Sequence, residues 1–212
     1  MSKPSYIIKT LMILVIISAA VAGFIVSNNY FNKQPKLSFK TLLVYPDAKA
    51  FTGFKLKNKD NQELTIEDFK NQWTLLFFGF TSCPDVCPTT LAELQKVYKQ
   101  LKIQNVKILP QVLFVSVDPD RDTPEVLTNY INFFNPEFNA ASTDNANLIS
   151  LTSQVGVAYH VEEHEKNQKI YNVDHTAAIF VINPDKKLYG IFPTPHVESD
   201  ITSDLIQLLG QK

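Results

Sequence analysis

Two cysteines carry most of the chemistry that this sequence offers. Cys83 and Cys87 are the only cysteines in the chain, and three residues separate them in the segment FGFTSCPDVCPTT (78–90). Two thiolates at this spacing can bind a soft metal ion, exchange electrons with another dithiol, or form a short disulfide. An apolar run precedes the pair, and a helical pattern with Pro88 in its first turn follows it. The positive end of a helix dipole favours thiolate over thiol, so this placement suits metal binding and redox exchange alike.

Three alternatives to a metal site remain open from the residues alone. A structural disulfide would stabilise the fold little, because so short a loop hardly constrains the unfolded chain. Thiol oxidoreductases of the thioredoxin type have a CxxC motif and a proline before the third core strand, whereas this chain has CxxxC and no proline between Pro136 and Pro184. A peroxiredoxin has a threonine three residues before its reactive cysteine, where this chain has Phe80. The oxidoreductase is the strongest of these alternatives.

A metal site would need a third ligand, for which the chain offers four histidines: His160, His164, His175 and His196. We expect all but His175 to lie in exposed loops or at a strand edge, because polar or turn-forming residues surround them. His175 directly precedes the apolar run 177–182, at the position where a thioredoxin-like fold would bring its proline against the cysteine loop. We therefore expect His175 to face both cysteines. Two thiolates and one imidazole suit Cu(I) and tolerate Cu(II), whereas a structural zinc site normally has a fourth protein ligand.

Alternating strand and helix signals must position these residues. The apolar runs 73–80, 112–117 and 177–182 predict strands that are buried on both faces of a sheet. Apolar residues at helical spacing predict a long amphipathic helix over 88–101. Further helices are predicted at 65–69, 123–134, 145–156 and 199–209, and further strands at 51–57, 63–64 and 188–192. This order indicates an α/β fold, a sandwich with parallel and antiparallel strands in one sheet.

The first 36 residues differ in composition from the remainder. They contain four lysines and no acidic residue, so the net charge of −1 conceals an acidic remainder. Residues 10–26 are uncharged and predict a membrane anchor, while Ala20-Val21-Ala22 keeps a cleaved signal peptide as the alternative. Either interpretation places the remainder outside the cytoplasm. The expected organisation is a tail at 1–9, an anchor or signal peptide at 10–30, a tether at 31–50 and one domain at 51–212.

Charged residues cluster in one segment, which contains Asp118, Asp120, Arg121 and Asp122. These residues could form a docking surface or an ion pair near the site, or they could simply begin a capped helix. The run Asp122-Thr123-Pro124-Glu125 favours the capped helix start. Asp174 is a candidate acceptor for the ring of His175, but neighbouring strand residues point to opposite faces, so a partner from another segment has equal support. Lys and Arg form no comparable cluster, which excludes a strongly basic nucleic-acid binder.

Three blocks together carry a family resemblance: FFGFTSCPDVCPTTLAEL (77–94), VSVDPDRDTPEVL (115–127) and DHTAAIFVINPDKKLYG (174–190). In this order behind an apolar N-terminus, they resemble the SCO/SenC family of copper-binding proteins. The resemblance implies a thioredoxin-like fold, copper as the bound metal, and Cys83, Cys87 and His175 as its three ligands. It also implies a role in assembly of the dinuclear copper centre of cytochrome c oxidase, as a copper donor, as a reductant of the acceptor's cysteines, or both.

The same resemblance implies partners and a location. The partners are the copper-bearing subunit of cytochrome c oxidase and other copper chaperones or thiol reductants. The location is the inner membrane, spanned once, with the domain on the periplasmic side, or on the intermembrane-space side in a mitochondrion. Cys83 and Cys87 then also form a redox pair. The alternative function is that of a membrane-anchored thiol-disulfide oxidoreductase of the cell envelope without a role in copper delivery.

Overall fold

The chain divides into two compact units, Met1–Ser38 and Phe39–Lys212. The computed structural model describes residues 4–31, 38–165, 168 and 170–210. Residues 1–3 of the predicted tail and 32–37 of the predicted tether lie outside the described residues.

The described part of the first unit is one helix, α1 (Pro4–Phe31), which extends past both ends of the predicted anchor. Within it, Ile8–Ser27 is a stretch of 20 residues with mean hydropathy 2.5 and no buried residue. About 20 apolar residues in a helix are long enough to cross the hydrocarbon core of a bilayer. The stretch is therefore a candidate membrane span by length and composition, properties that a signal sequence near the N-terminus shares.

The described part of the second unit contains ten strands. They are β1 (Leu43–Ala50), β2 (Lys55–Asn58), β3 (Glu63–Thr65), β4 (Thr74–Gly79), β5 (Gln111–Ser116), β6 (Asn139–Ser142), β7 (Tyr159–Val161), β8 (Val173–His175), β9 (Ile179–Ile182) and β10 (Lys187–Phe192). Eight of them form one sheet in the order β1-β10-β9-β4-β5-β6-β2-β3, and β7 pairs with β8. Because β4 is parallel to β5 and antiparallel to β9, the predicted mixed sheet is confirmed.

Helices cover both faces of this sheet. They are α2 (Val86–Ile103), α3 (Pro124–Phe134), α4 (Asn145–Val155), α5 (Glu198–Leu209) and a 3₁₀ helix (Ile66–Phe69). All six residues of β4 are buried, and successive side chains enter opposite cores. Leu75 and Phe77 pack with residues of α2 and α5, whereas Leu76 and Phe78 pack with residues of α4. This double burial explains the continuous apolar run that predicted the strand.

Capping signals that involve only neighbouring residues are found where the sequence predicts them. Thr65 Oγ1 accepts a hydrogen bond from the backbone N–H of Glu67, and the carboxylate of Asp68 accepts one from the backbone N–H of Thr65. Together they form a capping box at the start of the 3₁₀ helix. Gly156 follows the end of α4 with a φ of 76°, a left-handed conformation that glycine adopts without steric cost. The predicted ends of these helices are therefore confirmed.

The first strand, β1, corrects the predicted domain boundary. Residues 43–50 belong to the predicted tether, but they pair antiparallel with β10 at the edge of the sheet. The register breaks between Val44 and Lys49, around Pro46, which lacks a backbone donor. The tether prediction is therefore wrong for residues 43–50, and the folded unit begins at Phe39. An edge strand whose register breaks at a proline lacks the regular alternation that would have identified it.

Candidate metal centre

Three elements bring Cys83, Cys87 and His175 together. Cys83 lies on the loop after β4, Cys87 lies in the first turn of α2, and His175 ends β8. Helix α2 begins at Val86, two residues before its predicted start, which is why Cys87 is helical. One ligand atom from each of the three residues lies within 4.8 Å of the others. Cys87 Sγ is 3.2 Å from His175 Nε2, and the N–H of Cys87 donates to Cys83 Sγ at 3.4 Å.

Apolar groups shield this cluster from solvent. Cys83 is 9% exposed and Cys87 is 0% exposed. The rings of Phe77 and Phe80 meet the ring of His175 edge-on, with centroid distances of 6.1 and 6.0 Å. Gly79 leaves room for the buried sulfur, since a Cβ there would stand 2.6 Å from Cys87 Sγ. The spacing of the cysteines and histidines does not point to this glycine, although a glycine inside an apolar strand is itself a signal of close approach.

The two thiols titrate as a pair. The hydrogen bond with Cys87 lowers the pKa of the Cys83 thiol to about 4, and a weaker bond with His175 acts in the same direction against burial. The same bond between the sulfurs, followed by burial, raises the pKa of Cys87. Cys83 is therefore the thiolate at neutral pH and Cys87 holds the shared proton. A metal ion that takes both sulfurs must displace that proton.

A backbone carbonyl orients the ring of His175. Its Nδ1 lies 3.1 Å from the carbonyl oxygen of Thr176. Because a carbonyl only accepts, Nδ1 donates to it, and Nε2 is the ring nitrogen that faces Cys87, the orientation that binding of a metal through Nε2 requires. The acceptor is therefore the neighbouring backbone, rather than the carboxylate of Asp174 or a distant side chain. Asp174 is exposed on the other side of β8.

The other three histidines lie outside this cluster. His160 is exposed on β7, as predicted. His164 is only partly exposed, because its ring stacks on Tyr171 with a centroid distance of 3.7 Å. His196 is also partly buried, with Nδ1 at 3.2 Å from Thr90 Oγ1, and burial lowers its pKa. The expectation of exposed side chains is therefore wrong for His164 and His196.

The carboxylate of Asp122 holds the loop that carries Cys83. It accepts hydrogen bonds from the N–H and Oγ1 of Thr81, at 3.0 and 2.5 Å, and from Ser116 Oγ at 2.6 Å. The predicted helix start is confirmed, but Thr123 provides its cap by accepting a backbone N–H of α3. Asp122 thus stabilises the cysteine loop rather than the helix, a role that spacing along the chain did not indicate.

Comparison with known proteins indicates one family. Residues 45–210 match the SCO1/SenC family model. A protein of Stutzerimonas stutzeri whose name refers to copper binding is 30% identical over 176 residues, which cover 83% of this chain and 82% of that protein. Apo Sco1 of Thermus thermophilus is 32% identical, with a TM-score of 0.69 over 84% of this chain and 98% of that one. Copper-bound ScoI of Bradyrhizobium japonicum is 30% identical, with a TM-score of 0.65 over 74% and 98%.

The fold and the site together define a class of protein, thioredoxin-like domains in which a CxxxC pair and a histidine from a distant hairpin converge. Two thirds or more of the chain matches the family model and the relatives above. The chain belongs to the SCO1/SenC family. The predicted fold class and the family resemblance are both confirmed.

Proposed function

We propose that this protein is a copper-binding assembly factor in which Cys83 Sγ, Cys87 Sγ and His175 Nε2 hold one copper ion. The observation that carries the proposal is the convergence of these three atoms within 4.8 Å. Two thiolates and one imidazole form a donor set that suits Cu(I). The name of the Stutzerimonas stutzeri relative and the copper in the Bradyrhizobium japonicum structure support this choice of metal.

The number of donors favours a transferable copper ion over a structural zinc ion. Among the described residues, the cluster of His, Cys, Asp and Glu ligands has three members. A structural zinc site is normally closed by four protein ligands. Three donors leave a position open to a ligand of an acceptor protein, and the open position allows the ion to be passed on.

Copper binding and thiol oxidation exclude each other at this site. When Cys83 and Cys87 are oxidised, their sulfurs form one disulfide and release two electrons and the one proton that Cys87 held, so no thiolate remains for the metal. In exchange with an acceptor, the Cys83 thiolate attacks the acceptor's disulfide and Cys87 then resolves the mixed disulfide. The acceptor gains two thiols, which can take copper. The pKa of Cys83 near 4, and its exposed fraction of 9% against 0% for Cys87, support its role as the attacking sulfur.

The proposed acceptor is the copper-bearing subunit of cytochrome c oxidase, a partner that membership of the SCO1/SenC family supports. Other copper chaperones or thiol reductants would load and reduce the site. Helix α1 would anchor the chain in the inner membrane, with the domain on the periplasmic or intermembrane-space side. The length and hydropathy of Ile8–Ser27 support an anchor.

Copper titration of the reduced, full-length protein in detergent tests the site. We expect the wild type to bind one Cu(I), measured by competition with a chelator, and to show a thiolate-to-copper absorption band with Cu(II). His175→Ala should weaken binding, and the double variant Cys83→Ser/Cys87→Ser should abolish it. His160→Ala removes an exposed histidine and is the matched control. Equal binding by all four proteins would show that the three-ligand site is wrong.

A thiol-disulfide oxidoreductase without copper delivery is the second candidate, favoured by the low pKa of Cys83. Complementation of cells that lack the protein separates the two functions. A copper donor requires His175, so His175→Ala should fail to restore cytochrome c oxidase activity. Full restoration by His175→Ala, together with failure of the double cysteine variant, would favour the oxidoreductase.

A further inference from the structure

His175 is carried by an element that is separate from the main sheet. In the described residues, β7 and β8 form a two-stranded sheet of their own, and Tyr159 is the partner of His175 in that ladder. We call β7, β8 and the described residues between them the histidine arm. Its histidine can meet the cysteines only while the arm is held against the domain.

Tyr171, two residues before β8, attaches the arm to a buried ion pair. Its hydroxyl donates to Asp118 Oδ1 at 2.6 Å, and Arg121 Nε donates to the other oxygen of Asp118. Arg121 Nη1 also donates to the carbonyl oxygen of Tyr171 at 3.2 Å, and its guanidinium carbon lies 3.6 Å from the centroid of the tyrosine ring. Tyr171 is therefore held both by hydrogen bonds to charged groups and by the stacking of the Arg121 guanidinium on its ring.

The ring of Tyr171 is covered on both faces. The imidazole of His164 is stacked on it at 3.7 Å with an interplanar angle of 7°. Two groups at such similar distances from one centroid cannot share a face, so His164 and Arg121 lie on opposite sides of the ring. Phe80 extends these contacts to the metal centre, since its ring lies 5.4 Å from the Arg121 guanidinium and 6.0 Å from the ring of His175.

The cysteine loop and the histidine arm are held by different side chains of one segment. Asp122 accepts from Thr81 and so holds the loop that carries Cys83. Asp118 and Arg121 hold Tyr171 and so hold the arm. Removing the hydroxyl of Tyr171 should therefore affect the histidine ligand and spare the dithiol.

We propose that Tyr171 is a positioning residue that keeps His175 within reach of copper bound to Cys83 and Cys87, an inference that rests on the proposed function. When a ligand is in place for only a fraction of the time, the apparent affinity falls by that fraction. Loss of one hydrogen bond to a charged acceptor corresponds to a roughly tenfold change in an equilibrium constant. We therefore expect Tyr171→Phe to bind Cu(II) about tenfold more weakly than the wild type.

The experiment compares variants of the reduced, full-length protein in detergent, with Cu(II) as the probe. Tyr171→Phe removes one hydroxyl and keeps the ring. Tyr189→Phe is the matched control, because Tyr189 packs on Trp73, which precedes β4, whereas the cysteines follow that strand. Arg121→Lys is a second test that does not depend on the folding of Tyr171→Phe, since it keeps the charge and loses the flat stacking surface.

Three measurements report on the two halves of the centre. Competition with a chelator gives the affinity, and nitrogen hyperfine coupling in the electron paramagnetic resonance spectrum reports the imidazole ligand. The midpoint potential of the dithiol–disulfide couple reports Cys83 and Cys87. We expect Tyr171→Phe and Arg121→Lys to lose affinity and hyperfine coupling while the potential stays that of the wild type. Tyr189→Phe should match the wild type in all three measurements.

Hydrogen exchange of the metal-free protein separates failure of this inference from failure of the proposed function. We expect faster exchange in Tyr171→Phe at the amides of 173–175 and unchanged exchange at 81–83. If the wild type bound no copper but exchange changed in this way, the proposed function would fail, and only the attachment of β8 to the domain by Tyr171 would stand. Wild-type coupling and affinity in Tyr171→Phe, beside weakened binding by His175→Ala, would overturn the positioning role alone. Faster exchange across the whole domain would overturn it too.

Discussion

Gly79 lies against the sulfur of Cys87 so closely that a Cβ on residue 79 would stand 2.6 Å from Sγ and 2.8 Å from the ring of Phe114. Side-chain carbons do not approach other atoms to such distances, so one of the neighbours would have to move. The ring of Phe114 and the sulfur of Cys87 are both buried in the core between the sheet and α2, and the sulfur is the atom that the added Cβ meets first. The position of a proposed copper ligand thus depends on a strand residue without a side chain.

Gly79→Ala is accordingly expected to displace Cys87 and weaken copper binding. Overpacking of a core typically costs about 1–3 kcal/mol, so the free energy of unfolding should fall by about that amount. Denaturant titration measures the stability, and competition with a chelator measures the affinity. Gly53→Ala is the control, because a Cβ at residue 53 meets nothing within 4 Å. Unchanged copper affinity in Gly79→Ala would show that the position of the Cys87 sulfur does not depend on Gly79.

The fully buried Asp204 of α5 is expected to be important for stability. Its carboxylate accepts the N–H groups of Lys40, Thr41 and Leu42 at 2.7, 2.8 and 2.9 Å. Asp204→Asn replaces one acceptor oxygen with an NH₂ group, which is itself a donor and cannot accept these N–H groups. We therefore expect a loss of about 2–4 kcal/mol in the free energy of unfolding. Asp200→Asn on the same helix breaks an exposed ion pair with Lys40 and should cost at most about 1 kcal/mol. Similar losses in thermal or denaturant unfolding of the two variants would contradict this assignment.

Cys83 and Cys87 are expected to react with iodoacetamide at different rates. Cys83 is less buried, and its pKa near 4 means that the thiolate, the reactive form, is already present at neutral pH. Its pKa is lowered, so the thiolate fraction stays constant above that pKa and falls only as the pH approaches about 4. An ordinary cysteine would instead gain reactivity up to about pH 8.5.

Mass spectrometry of the alkylated peptides measures both rates as a function of pH. Cys87→Ala removes the hydrogen bond that lowers the pKa of Cys83, so its Cys83 rate should become pH-dependent in the neutral range. A Cys83 rate that rose steadily between about pH 6 and pH 8 in the wild type would refute the assignment of the thiolate.

Asp122→Ala is expected to loosen the cysteine loop. The substitution removes the acceptor of Thr81 and Ser116, and an unsatisfied buried donor costs about 1–3 kcal/mol. The free energy of unfolding should fall by that amount, and the potential of the dithiol–disulfide couple should change because Cys83 follows Thr81. Asp120→Ala, at an exposed position of the same segment, should leave both quantities unchanged. Equal effects of the two substitutions would rule out a specific role for Asp122.

Signals between near neighbours in the chain predicted the elements well. The capping box of Thr65 and Asp68 spans three residues, and the glycine after α4 acts on the turn directly before it. The apolar run that became β4 and the helical spacing that became α2 predicted their elements in the same way. These signals arise from sterics and hydrogen bonding within a few residues, so they can be read without knowledge of the fold.

Sequence alone establishes the cysteine pair, its place before a helix, the order of the main strands and helices, and an apolar N-terminus. The fold brings His175 Nε2 to 3.2 Å from Cys87 Sγ across 88 positions of the chain. It also decided that residues 43–50 join the sheet and that Asp122 holds the cysteine loop. These outcomes depend on pairing and packing between segments that are distant in sequence, where the free energy of the whole fold selects the partner and local spacing has no influence.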